Sequence, residues 1–173
     1  MRIGESFMLE VGMTLITNLF GELDVPLKDG FAESFELSLE NRKMETFLFI
    51  HEQTLNGDNA DDIIYFLNQI PMLYSKAKQA ILARKDSSDQ IRYYIDEQIE
   101  TIETLYKVFN VDSNDEITDE MIIKQLVLSG IGISLNQDGR LDWNIDFTIA
   151  PEYTDELLVV YFDDKLVVSL IES

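Results

Sequence analysis

A chain of 173 residues with 33 acids against 13 bases carries a formal charge of −20 and a pI near 4.1, a field that disfavours DNA, RNA and anionic membranes and favours a basic partner or simply high solubility. Hydrophobic residues make up 46% and mean hydropathy is −0.05, so the composition is that of neither a disordered tail nor a membrane protein. The chain has no cysteine, which rules out disulfide stapling, thiolate metal sites and cysteine nucleophiles.

This length suits a single α+β domain over residues 1–173. No apolar run reaches the roughly 20 residues of a spanning helix. The start has Glu5 and Glu10 where a signal peptide would be apolar, so a cytoplasmic location is the simplest expectation. The charge is uneven: residues 111–173 hold 14 acids and three bases.

Residues 1–16 fit neither a clean helix nor a clean strand, although Phe7, Leu9, Val11, Met13, Leu15 and Ile16 are apolar. A first strand is predicted over Leu19–Val25, ended by Pro26, which has no N–H for a ladder. Lys28 to Gly30 reads as a turn. A second strand sets Phe31, Phe35, Leu37 and Leu39 against Ser34, Glu36 and Ser38, and Asn41–Arg42 turns into a third over Met44–Glu52. Short connections make these antiparallel.

The apolar period then lengthens. After a loop at Asn56–Asn59, residues Ala60, Ile63, Ile64, Leu67 and Ile70 keep one-face helical spacing up to Pro71, which suits the first turn of the next helix. That second helix carries Leu73, Ala77, Ala80 and Ile81 inward and a basic face of Lys76, Lys78, Arg84 and Lys85. Beyond Asp86–Ser88 a long helix is expected, with Ile91, Ile95, Ile99, Ile102, Leu105 and Phe109 as one stripe. Thr118 caps a short helix whose first turn holds Asp119 and Glu120.

A strand meander follows. Gly130 and Gly132 interrupt its first strand, leaving Ile131, Ile133 and Leu135 for the core; strand glycines mark a bulge or a close approach by a helix. Residues Asn136–Gly139 make a hairpin loop. Leu141, Trp143, Ile145, Phe147 and Ile149 then alternate strictly with Asp142, Asn144, Asp146 and Thr148. If Asp163–Asp164 is a two-residue turn, Val160 pairs with Val167. Leu157, Val159, Tyr161, Leu166, Val168 and Leu170 then form the apolar face. The other face, with Leu158, Val160, Phe162, Lys165, Val167, Ser169 and Ile171, is mixed, and its apolar members need a cover, either the segment Phe7–Ile16 or a second copy of the chain in a homodimer.

The expected architecture is a mostly antiparallel sheet of N-terminal and C-terminal strand meanders, with about four central helices packed on one face. Catalytic signals are absent from it. His51 is the only histidine, so no histidine triad or two-histidine metal site can form. The acidic run Asp112–Thr118 fails as a calcium loop, since Ile117 and Ile123 stand where glycine and glutamate are required. No cofactor motif occurs.

The partner-binding candidates are Asp142, Asn144, Asp146, Asp155 and Glu156, with Asp138 nearby. Carboxylates on one strand face can meet a basic protein or hold a divalent cation, although alternating acids are also what a solvated sheet face looks like.

Leu19–Asp24, Lys78–Leu82, Asp146–Ile149 and Thr154–Asp163 together resemble a family of small bacterial proteins known only as a domain of unknown function, the one numbered two thousand and four. The likeness runs from about Thr17 onward. It implies no activity and no site residues. As a class, small acidic α+β proteins are also similar to bacterial immunity proteins. The expectation is therefore a non-enzymatic interaction protein, of the kind that inhibits a basic toxin or nuclease, with a carboxylate-based divalent-metal domain or enzyme as the alternative.

Overall fold

The computed structural model describes residues 12–27, 32–51, 54 and 58–173. Among these residues, eight strands and five α-helices form an α+β fold. A two-stranded hairpin, β1 (Met13–Thr17) and β2 (Gly21–Val25), stands apart from a six-stranded sheet. That sheet has the order β3 (Ala32–Leu39), β4 (Arg42–Ile50), β5 (Val127–Leu135), β6 (Leu141–Thr148), β7 (Leu158–Phe162) and β8 (Val168–Glu172). All neighbours are antiparallel except β4 and β5, which run parallel through Leu48 opposite Ile131. A parallel join needs a long crossover. The five helices supply it: α1 (Ala60–Asn68), α2 (Ile70–Arg84), α3 (Asp89–Thr101), α4 (Leu105–Phe109) and α5 (Asp119–Gln125).

The core lies between the sheet and the helices. Alternation places Met44, Leu48 and Ile50 of β4, Ile131 and Ile133 of β5, and Trp143, Ile145 and Phe147 of β6 on the inner face, all buried. Phe66 of α1 stacks on Trp143 with ring centroids 4.5 Å apart, and Tyr74 of α2 meets Phe147 at 5.6 Å. Such aromatic pairs add about 0.5–1.5 kcal/mol each beyond their area. The Tyr74 hydroxyl donates to the Leu126 carbonyl at 3.1 Å.

Several expectations need correction. The first strand does not begin at Leu19: residues 18–20 form a turn, closed by Gly21 at φ 70°, and Thr17 Oγ1 accepts from the Phe20 N–H. The strand before the turn is β1, which lies inside the segment with no clear pattern. Its Leu15 and the Leu23 opposite are buried, and β1 packs on α1. Hence β2 joins β1 rather than the main sheet. The expected turn at residues 28–30, Phe31, Glu52 and the loop residues 55–57 lie outside the described residues, as do residues 1–11 with Phe7, Leu9 and Val11.

The long third helix also breaks. Its C-cap is Ile102, and α4 starts three residues later. Asn114 explains the break: its Nδ2 donates to the carbonyls of Ile99 and Ile102 at 3.0 Å, and its Oδ1 accepts from the Tyr106 N–H at 2.8 Å. A single amide thus ends one helix and starts the next, which gives the acidic run 112–118 a structural role. Thr118 does cap α5, accepting from the Met121 N–H.

The β7–β8 hairpin differs most. Its loop has five residues, not two: Asp163 Oδ1 accepts from the Lys165 and Val167 N–H groups at 2.9 Å each, and Leu166 takes φ 57°. Once the register shift between Tyr161 and Phe162 is added, Val160 pairs with Ile171 instead of Val167. With Lys165 and Val167 removed from the ladder, the supposedly mixed face keeps Leu158, Val160, Phe162 and Ile171, and these are the buried ones. The helices α2 and α3 pack across β8, and Arg84 Nη2 donates to the Val168 carbonyl. That face is covered by helices, so neither an N-terminal cover nor a second copy is required there.

Candidate outer sheet face

The opposite face of the sheet is the one that bears the sequence candidates. Cross-strand register sets its residues in rows. One row runs Ser34, Phe47, Gly130, Asp146, Val159, Glu172; the next runs Phe49, Gly132, Asn144, Tyr161, Leu170. Phe47 and Phe49 lie against each other with centroids 6.3 Å apart. Phe47 and Leu170 are exposed, while Val159 and Tyr161 are half-buried.

The two glycines shape this face. Neither takes positive φ, so backbone freedom is not the reason for them. A Cβ at Gly130 would sit 2.6 Å from Asp146 Oδ2, and one at Gly132 only 2.2 Å from Asn144 Oδ1. The missing side chains let Asp146 and Asn144 lie down over β5. There Asn144 Nδ2 donates to Asp146 Oδ1 at 2.7 Å. The sequence pattern pointed to a bulge or a close approach by a helix at these positions: β5 has the bulge, its register slipping between Leu128 and Gly130, but what comes close is the pair of β6 side chains and not a helix.

Lying flat buries the Asp146 carboxyl to 9% exposure. Burial raises its pKa above the usual carboxylate range, and the Asn144 hydrogen bond only partly opposes this. Burial also raises the Tyr161 phenol, followed by the charges of Glu172, Asp146 and Asp142. Three carboxylates from β6 and β8 thus surround one phenol.

Compared with protein-family models, curated proteins and solved structures, the chain matches none of them.

Of the candidates, Asp142, Asn144 and Asp146 share this face. Asp155 and Glu156 do not join them: they lie in the connection 149–157, exposed, and Glu156 sits close enough to α3 to act, after burial, on the Tyr94 phenol. Asp138 is at the tip of the β5–β6 loop, where its N–H is held by Asn136. Tyr161 and Glu172 belong to the site but were missed, because the two-residue turn placed Tyr161 on the core face. His51, beyond the end of β4, borders a depression of about 230 Å³ with Phe49, Ser134 and Asn144. Among the described residues no three His, Cys, Asp or Glu side chains are grouped to hold a metal ion. The basic face of α2 is committed locally, with Lys78 on Glu40 and Lys85 on Asp86 and Glu120.

Proposed function

We propose that the chain is a non-enzymatic, cytoplasmic interaction domain that binds a basic protein through its outer sheet face, in the manner of an acidic inhibitor or immunity-type protein. The observation that carries this reading is the set of carboxylates, Asp142, Asp146 and Glu172, around Tyr161 on a sheet face that α1, α2 and α3 leave open. A net charge of −20 steers a basic partner toward the molecule, and exposed aromatic surface supplies the contact area. Among the described residues no helix is long and apolar enough to cross a membrane.

The test is affinity capture from the source cells with the wild-type chain and with the double variant Asp142→Lys/Glu172→Lys, at low salt and at about 0.5 M salt, where surface charges are screened. A basic protein should be retained by the wild type at low salt only, and should be lost by the variant. Recovery of no basic protein, or of one indifferent to salt and to the variant, overturns the reading.

A further inference from the structure

Asp146 is the most unusual acid on the outer face. A buried carboxylate ordinarily has a cation or several donors beside it, because an unpaired buried charge is costly. Asp146 is nine-tenths buried, and among the described residues its one hydrogen bond comes from the neutral amide of Asn144. The described cations near this end of the sheet are engaged elsewhere: Lys43 on Glu36, Arg42 on the Gln125 carbonyl. The Oδ2 atom lies over Gly130, whose neighbour on the other side is Phe47. Two strand spacings, about 10 Å, separate the Phe47 and Asp146 backbones, with only a glycine between them.

We propose that this trough receives an arginine side chain of the partner, its guanidinium donating to Asp146 and lying against the Phe47 ring. The inference rests on the outer-face reading above and names its anchor. Charge complementarity selects a cation, since Asp146 presents a carboxylate over Gly130 on a chain of net charge −20, with Asp142 further along the same face of β6. Shape selects guanidinium over ammonium. A planar fork can donate to a carboxylate while its face rests on an aromatic ring, whereas an ammonium is a compact, strongly hydrated point charge. Phe47 offers the ring, being 44% exposed. The arginine would also supply the positive charge that Asp146 lacks among the described residues.

Methylguanidinium chloride and methylammonium chloride serve as probes, titrated into the isotope-labelled full chain and followed by NMR. Methylguanidinium should shift the Asp146 carboxyl carbon and the Phe47 ring signals saturably, and methylammonium should bind at least several-fold more weakly. Asp146→Asn should weaken methylguanidinium about tenfold, the scale of one hydrogen bond to a charged group. Phe47→Leu, at an exposed position that does not hold the core, should weaken it by a smaller factor. Equal binding of the two cations, shifts spread over carboxylates elsewhere, no saturation, or indifference to both variants overturns the proposal. The two readings fail separately. Capture of a basic protein without localised methylguanidinium binding removes the arginine site alone. Localised binding without any basic partner removes the function instead.

Discussion

Gly132→Ala tests the packing of the outer face directly. The added methyl would stand 2.2 Å from Asn144 Oδ1 and 2.8 Å from its Cγ and Nδ2, against the 3.4 Å or more of an ordinary contact. Asn144 must therefore rotate by more than an ångström, which breaks its 2.7 Å hydrogen bond to Asp146. Overpacking of this kind costs about 1–3 kcal/mol, and replacing glycine in a strand returns about 0.5–1 kcal/mol. A net loss of about 1–2 kcal/mol follows, which for a chain of this length lowers Tm by roughly 2–4 °C per kcal/mol. The assay is urea unfolding followed through Trp143, in a double-mutant cycle with Asn144→Ala. In the Asn144→Ala background the clash has no partner, so Gly132→Ala should be neutral or slightly stabilising there. Equal cost in both backgrounds, or no cost in the wild type, refutes the account of why this strand carries glycine.

The remaining predictions concern charge and core. Asp146 has a folded pKa above its unfolded one, so it binds its proton more tightly when folded, and stability falls as the pH rises through that interval. Asp146→Asn should accordingly be more stable than the wild type near pH 7, with the gap closing near pH 4 and below, as urea midpoints at several pH values would show. Tyr74→Phe leaves the Leu126 carbonyl without its 3.1 Å donor and should cost about 1 kcal/mol. Burial and then Glu40 push the Tyr74 phenol up to about 12, so the wild type should lose a late-titrating tyrosine in alkaline difference spectra when Phe replaces it. Phe66→Ala removes the ring stacked on Trp143 and should cost about 3–5 kcal/mol, with a red shift in the emission of that sole tryptophan.

Where one period ran unbroken, the fold was legible. The β6 alternation and the helical spacing from Ala60 have a single geometric solution each, and the structure adopts it, although α1 ends at Asn68 and Ile70, expected to close that helix, opens α2. The misreadings fall where a local hydrogen bond overrides the pattern. The apolar stripe from Ile91 to Phe109 is continuous, yet Asn114 from a distant loop captures the carbonyls at its middle and divides the helix. β1 stayed hidden because Gly12, Thr14 and Ile16 do not alternate cleanly with Met13 and Leu15; Ile16 remains 69% exposed although it is apolar.

The site was half legible for a related reason. Asp142, Asn144 and Asp146 stand on β6, whose own period fixes their shared face, so they could be grouped from sequence. Tyr161 reaches this face through the β6–β7 register, opposite Asn144, and Glu172 reaches the row of Asp146 only through the β7–β8 register, which depends on the loop that Asp163 closes and on the bulge after Tyr161. A two-residue turn would pair Val160 with Val167 and leave Glu172 off the row of Asp146. The five-residue loop, held by one carboxylate accepting two backbone N–H groups, sets Val168 opposite Phe162, and the register shift between Tyr161 and Phe162 then moves Ile171 opposite Val160 and brings Glu172 opposite Val159, into the row of Asp146. Replacing Asp163 by Ala should therefore disturb the outer acidic cluster from a distance. In the folded variant the Tyr161 phenol would return toward its ordinary range, because Glu172 contributes the largest of the charges acting on it. A Tyr161 titration unchanged in Asp163→Ala would show that the strand register holds without this loop.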